Sequence, residues 1–294
     1  MMAYSFDWVD AFTSRPFGGN GCAVVHSATD LDDATCMAIV RETSLVECTF
    51  IGPSDIADVK VRYFLASKEI PFAGHPTIAT VASLVDRGLV QGDGLQLETG
   101  AGIVGVTIDR SVSPASIEMT QIAPRFGPEL AAEIVAGAVG LQVEDILGRP
   151  QIVSTGLPFC ITLLKDHDAL GRARIDPAGM ARFRDAARSA ETGVMEPYLV
   201  ALGGATEAGD TFSRLLMEPP LPPEDPFTGS ATGATAAWLW THGYIASPGY
   251  FAEQGHGMGR PGLARVEVVG PRDAITGVKV AGQGYVLMRG DLLI

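Results

Sequence analysis

A chain of 294 residues, 47% hydrophobic and 19% charged, has material for one large core or two ordinary ones and does not have the composition of a disordered protein. Its net charge of −13 argues against nucleic acid or an anionic membrane surface as the main partner. No apolar run approaches the ~20 residues that a membrane-spanning helix needs. Residues 1–10 alternate apolar and polar groups and include Asp7 and Asp10, unlike a signal peptide, so the expectation is a cytoplasmic protein. Cys22, Cys36, Cys48 and Cys160 are scattered without a Cys-x-x-Cys pair, which predicts reduced, partly buried thiols rather than a disulfide or zinc framework.

Taken in chain order, residues 4–12 alternate as a strand does, and 23–26 form a short apolar run after the Gly18-Gly19-Asn20-Gly21 turn. Residues 31–43 have helical spacing, with Asp32 and Asp33 near the start where the helix dipole favours them. Strand patterns follow at 46–51 and 59–65, then a small-residue, apolar helix at 77–86 that Gly88 can end. Residues 95–108 and 116–120 return to strand, broken by glycine. The middle reads as helix at 129–137 and 177–190 with a strand at 159–164 between them. Strands are expected at 198–202 and 212–217, a proline-rich link at 219–226, a second small-residue helix at 232–240, and closing strands at 263–269 and 278–287. The best place to divide the chain is 114–127.

One segment occurs twice, at an offset of 155 residues. Residues 69–84 and 224–239 are identical at nine of sixteen positions without a gap, including Glu69/Glu224, Pro71/Pro226, Phe72/Phe227, Gly74/Gly229 and Thr77/Thr232. Each copy follows a strand with a carboxylate, a proline turn, a glycine that permits close backbone approach, and a helix start. A helix start presents unpaired N–H groups and about half a positive charge, so it can hold an anion such as a substrate carboxylate. A duplicated packing unit explains the glycines equally well. It does not explain why His75 stands opposite Ser230 and Ile70 opposite Asp225.

Three residues are candidates for acid/base chemistry. Glu47 sits in an apolar strand, where desolvation would raise its pKa and poise it as a proton shuttle. The competing reading is ordinary alternation, with Glu47 facing solvent. His75 stands at a helix start before Pro76, where the dipole would keep the imidazole neutral; most lone histidines are structural. Asp225 precedes Pro226 and could be a turn aspartate or helix cap, although Ile70 shows that the turn does not require a carboxylate. Residues 253–262 interleave glycines with His256 and Arg260, as either an anion-binding loop or hairpin glycines. His26, His167 and His242 read as structural. No metal spacing such as His-Glu-x-x-His, no Walker loop, no dinucleotide fingerprint and no Gly-x-Ser-x-Gly elbow is present.

At these residues the chain resembles the phenazine-biosynthesis isomerase (PhzF-like) family, itself similar to diaminopimelate epimerase and proline racemase. The resemblance runs the whole length. It is carried by Asp10-Ala-Phe-Thr, Pro16-Phe, Gly19-Asn20, Glu47-Cys-Thr-Phe, Pro71-Phe-Ala-Gly-His-Pro-Thr, Glu224-Asp-Pro-Phe-Thr-Gly-Ser, Gln254-Gly and Gly259-Arg-Pro. It implies an α+β fold of two pseudo-symmetric domains, residues 1–115 with 278–294 and residues 116–277. Each would be a curled mixed or antiparallel sheet around a central helix, with the active site in the cleft between them. It also implies a homodimer without a cofactor, isomerising a small carboxylate such as trans-2,3-dihydro-3-hydroxyanthranilate. Glu47, His75 and Asp225 would be catalytic, and Asn20, Gly74, Gly229 and Ser230 would bind substrate. The epimerase and racemase relatives place a cysteine at each central helix start. Here those places hold Gly74-His75 and Gly229-Ser230, so a two-thiol mechanism is not expected. The competing functions are a non-thiol epimerase, racemase or lyase of an amino or hydroxy acid, and a non-catalytic small-molecule binding protein on the same scaffold.

Overall fold

The computed structural model describes residues 2–219 and 221–294. Met1 and Pro220 lie outside the described residues, and with them the start of the N-terminal segment and part of the expected proline-rich link. The chain divides into two compact units. One is Met1–Thr120 with Ala281–Ile294, the other Gln121–Val280.

The first unit contains β1 (Ala3–Ala11), β2 (Asn20–Val25), α1 (Asp33–Thr43), β3 (Glu47–Gly52), β4 (Val59–Leu65), β5 (Glu69–Ile70), α2 (Gly74–Asp86), β6 (Gly94–Thr99), β7 (Gly102–Asp109) and β8 (Ser116–Gln121, ending at the boundary). The second contains β9 (Arg125–Glu129), α3 (Ala132–Ala138), β10 (Ile146–Ser154), β11 (Pro158–Leu164), α4 (His167–Arg172), α5 (Pro177–Ala190), β12 (Pro197–Leu202), β13 (Thr211–Leu216), β14 (Glu224–Asp225), α6 (Gly229–Thr241), β15 (Gly249–Gln254) and β16 (Gly262–Val269). The last strand, β17 (Gly277–Leu293), carries the chain back and pairs antiparallel with β1 from Ala3↔Leu293 to Ala11↔Gly284.

The strand pairings of the two units repeat one plan. In the first unit β1/β2 and β3/β4 are antiparallel, β2/β3 and β4/β6 are parallel, and β6/β7 is a hairpin. In the second, β10/β11 and β12/β13 are antiparallel, β11/β12 and β13/β15 are parallel, and β15/β16 is a hairpin. The short strands β5 and β14 add to β4 and β13 in the same way. A mixed sheet of this kind is covered on both faces at its centre, so β2 is buried at every position and β11 at all but its first.

In the first unit α2 packs against β1, β2 and β3, while α1 builds a separate core with Ala23, Val25, Cys48, Phe50 and Phe64. In the second, α6 packs against β10, β11 and β16, and α3 and α5 cover Ile152, Cys160, Leu164 and Leu199. The inner helices α2 and α6 are thirteen residues each and carry no charge before Asp86 and none at all, respectively. An apolar helix without a polar face is stable only when buried all round. Three of their threonines satisfy themselves locally. Thr77 and Thr80 donate to the carbonyls of Ala73 and Pro76, and Thr232 to that of Thr228.

The glutamates of the repeated segment have a structural explanation. Arg62 forks onto both oxygens of Glu69 at 3.0 and 2.9 Å and donates to the Leu31 carbonyl. Arg214 forks onto Glu224 at 3.0 and 2.7 Å and donates to the Leu170 carbonyl. Each bidentate pair ties the strand before the turn to the turn itself. Glu69 and Glu224 are anchors of the repeat.

Several elements differ from expectation. Both inner helices begin earlier than their apolar stretches, at Gly74 and Gly229, so His75, Pro76 and Ser230 lie in the first turn. The helix expected at 129–137 begins at Ala132, because Glu129 still pairs with Gln151. The stretch 95–108 is a hairpin of β6 and β7 turning at residues 100–101. Strands β10 and β15 had no clear sequence pattern, and β14 occupies the end of the proline-rich segment.

Candidate active site

In the first unit, Glu47 opens β3 opposite Leu65 of β4, His75 is the second residue of α2, and Asn20 opens β2. These three meet. The Glu47 side chain is 15% exposed, and its Oε2 lies 3.9 Å from Nδ1 of the buried His75. The amide nitrogen of Asn20, itself buried, lies 3.3 Å from the same Nδ1. An amide N–H₂ can only donate, so Nδ1 accepts and the ring proton resides on Nε2. That Nε2 is buried and has no hydrogen-bond partner among the described residues.

Burial holds the His75 imidazole neutral by lowering its pKa to about 3. Its contact with Glu47 is therefore no ion pair at neutral pH, and 3.9 Å is too long for a hydrogen bond. Burial supplies the lowering that keeps the ring neutral. Burial also pushes up the thiols of Cys22 and Cys48, the latter to about 11, with a smaller contribution from the Glu47 charge beside them.

The geometry is held by the loop between β1 and β2. Asp10 accepts the Phe17 N–H at 2.9 Å, and Phe12 and Phe17 both adopt positive φ, 63° and 66°. Such conformations cost non-glycine residues free energy and persist where surrounding contacts enforce them. Gly19, at φ +51°, lies against the Ala11 carbonyl, which a Cβ would strike. Gly74, capped by Ala73 without a side-chain hydrogen bond, leaves the first-turn N–H groups of α2 without a side-chain acceptor from the cap.

In the second unit, Asp225 is 5% exposed and pairs with Leu215 across β14/β13. Its Oδ2 accepts the Thr228 hydroxyl at 2.5 Å. Gln254, at the end of β15 and fully buried, accepts from the Thr228 N–H at 3.0 Å and from the Tyr198 hydroxyl at 2.9 Å. It donates to the Asp225 carbonyl at 2.8 Å and the Thr228 hydroxyl at 3.1 Å. Gly229 and Ser230 start α6; the Gly229 carbonyl accepts from Gln121 at 2.9 Å, and Ser230 is half-buried. Thus Asn20, Glu47, Gly74 and His75 form one constellation, and Asp225, Gly229 and Ser230 another. Sequence reasoning singled out neither Gln254 nor Thr228 for a role, although both lie in the stretches that carry the family resemblance.

The three histidines that the sequence reads as structural have ordinary partners. His26 meets Ser83 at 2.9 Å, His167 the Gly203 carbonyl at 2.9 Å and His242 Gln151 at 3.1 Å. Among the described residues, no three His, Cys, Asp or Glu side chains are grouped as a metal site, and no helix is long and apolar enough to cross a membrane. The four cysteines are buried and unpaired with one another, none at either inner helix start.

A family of phenazine biosynthesis-like proteins (PhzC-PhzF) matches residues 9–290. The uncharacterized isomerase YddE of Salmonella typhimurium is 33% identical over 97% of each chain. The trans-2,3-dihydro-3-hydroxyanthranilate isomerase of Pseudomonas fluorescens is 31% identical over 97% of this chain and 98% of its own. A PhzF-family phenazine biosynthesis protein of Bacillus anthracis superposes over the whole of both chains with a TM-score of 0.88 at 25% identity. With the α+β fold of two like units and a continuous match across nearly its full length, the chain belongs to the phenazine biosynthesis-like family and is an isomerase.

Proposed function

We propose that this isomerase moves a proton between two carbons of a small carboxylate, with Glu47 as the proton carrier, and that trans-2,3-dihydro-3-hydroxyanthranilate belongs to the class it accepts. The observation that carries the reading is the buried, neutral His75 with an unpaired Nε2 beside the Glu47 carboxylate. A polar group left unpaired in a folded interior costs about 1–3 kcal/mol, and a ligand acceptor at Nε2 would remove that cost.

In this reaction the Glu47 carboxylate takes the proton from C3. The electron pair of that C–H bond moves into the adjoining double-bond system, and the Glu47 acid returns the proton at another ring carbon. Nothing is oxidised or reduced, so one carboxylate and a hydrogen-bond donor suffice. The His75 Nε2–H steadies charge that develops on the substrate. Asp225 orients the substrate and shares its protons. First-turn N–H groups of α2 and α6, at Gly74 and at Gly229 and Ser230, are suited to a carboxylate. A positioned acid/base group contributes about 10²–10⁴-fold, and orientation supplies much of the rest. A non-thiol mechanism also agrees with the chemistry of the cysteines, since burial raises Cys36 and Cys160 to about 12.

The proposal includes a homodimer, as the family resemblance implies; sedimentation should give twice the 30.8 kDa chain mass. The test of substrate class is turnover of trans-2,3-dihydro-3-hydroxyanthranilate by the native chain beside a panel of amino and hydroxy acids. A shifted ring double bond is expected. Exchange of an α-proton in an amino acid with no ring isomerisation would replace this reading with the epimerase one.

A further inference from the structure

We infer that Gln254 is a positioning residue that fixes Asp225 and the start of α6, and thereby governs turnover; the inference rests on the role given to Asp225 above. Three of its four hydrogen bonds go to one four-residue turn, at the Asp225 carbonyl, the Thr228 N–H and the Thr228 hydroxyl. The fourth, from Tyr198, ties the amide to β12. The Thr228 hydroxyl accepts from Gln254 and so presents its only proton to Asp225 Oδ2. Gln254 thus sets both where the Asp225 backbone sits and how its carboxylate is hydrogen-bonded.

The comparison between the two units separates this role from plain packing. Strands β6 and β15 end at equivalent residues, Thr99 and Gln254, each followed by a glycine on the turn before the inner helix. A Cβ on Gly100 would strike Pro71, and one on Gly255 would strike the Pro226 carbonyl. In the first unit the Thr99 hydroxyl turns back to the Gly102 carbonyl of its own hairpin, at 2.8 Å. The residue equivalent to Asp225 there is Ile70, with no carboxylate to place. The long amide occurs in the unit whose turn carries the aspartate. If the fold alone needed a clamp at this point, both units would need one.

The test uses the full chain and measures two quantities. Amide exchange reads the turn without any substrate. In Gln254→Met the Thr228 amide should exchange at least ~10-fold faster while the Ala234 amide inside α6 keeps its protection. Steady-state kinetics read the consequence. Turnover should fall ~10–100-fold in the native background but little further in an Asp225→Asn background. Tyr198→Phe, which keeps all three bonds to the turn, should leave kcat near native.

Unchanged Thr228 exchange, or an equal kcat loss with and without Asp225, overturns the inference. Should Gln254→Met fail to fold, Gln254→Glu keeps the shape and both accepting contacts and replaces the two donations by an acceptor facing the Asp225 carbonyl and the Thr228 hydroxyl. It must then show the same dependence on Asp225, and full additivity contradicts it. If Glu47→Gln turns over as fast as native, the acid/base reading fails, and Thr228 exchange alone decides the role of Gln254.

Discussion

The Asn20 amide donates to His75 Nδ1 at 3.3 Å and thereby fixes the imidazole proton on Nε2. That tautomer makes His75 a donor toward ligand rather than toward Glu47, whose Oε2 lies 3.9 Å from the same Nδ1. In Asn20→Asp the acceptor and donor exchange places: a carboxylate draws the ring proton to Nδ1 and strips the donor from Nε2. The expected result is a ring whose nitrogen-15 shifts report Nδ1–H, with kcat lowered ~10²-fold. A ring that remains Nε2–H with lost activity contradicts the role given to Asn20.

The pH behaviour of His75 follows from its burial. Its folded value of about 3 lies below the ordinary 6.5, so between those values the unfolded chain binds more protons than the folded one. Stability therefore rises with pH across that window and is lost on acidification, by about 1.4 kcal/mol for each unit of depression. His26, lowered by burial to about 4, adds a contribution of the same sign. The His75 ring should show no titration between pH 5 and 8 by NMR, and His75→Gln should flatten the acid limb of a urea-unfolding profile without removing it. A His75 midpoint near 6.5 would contradict its burial.

Much of the candidate site was legible because its proposed chemistry sits where packing alone would not put it. Glu47 interrupts an apolar strand, and His75 and Asp225 occupy positions that the repeated segment fills with Ser230 and Ile70. The repeat also located both inner helices. What was not legible depended on long-range pairing. Strand β15 alternates small, aromatic and charged residues without a clear period, and it is a strand because Tyr250 and Ala252 pair with Val266 and Ala264. Strand β17 runs past the apolar stretch at 278–287, because its polar end pairs with β1. Gln254 carries no signal as a lone glutamine. Its role comes from reaching a turn about 26–29 residues earlier in the chain.

Asp7 tests the framework apart from the site. It is wholly buried on β1 and accepts from Arg87 at the end of α2, Arg289 on β17 and Ser83 within α2. Burial alone would raise its pKa, but the two guanidinium groups and Ser83 outweigh it and hold the carboxyl well below the usual range. Asp7→Ala leaves two cations around a buried gap and should cost about 3–5 kcal/mol in denaturant unfolding. Turnover per folded molecule should stay near native. A loss under about 1 kcal/mol would class the cluster with ordinary surface ion pairs.

The central claim is that the Glu47 carboxylate carries the migrating proton. Proton NMR in D₂O with trans-2,3-dihydro-3-hydroxyanthranilate tests it most directly, comparing the native chain with Glu47→Gln at matched folded concentration. The account predicts a shifted double bond for the native chain, with deuterium at the newly protonated ring carbon to the extent that the Glu47 acid exchanges with D₂O before it returns the proton, and turnover lowered at least ~10²-fold for Glu47→Gln. Full turnover and deuterium entry with Glu47→Gln would contradict it.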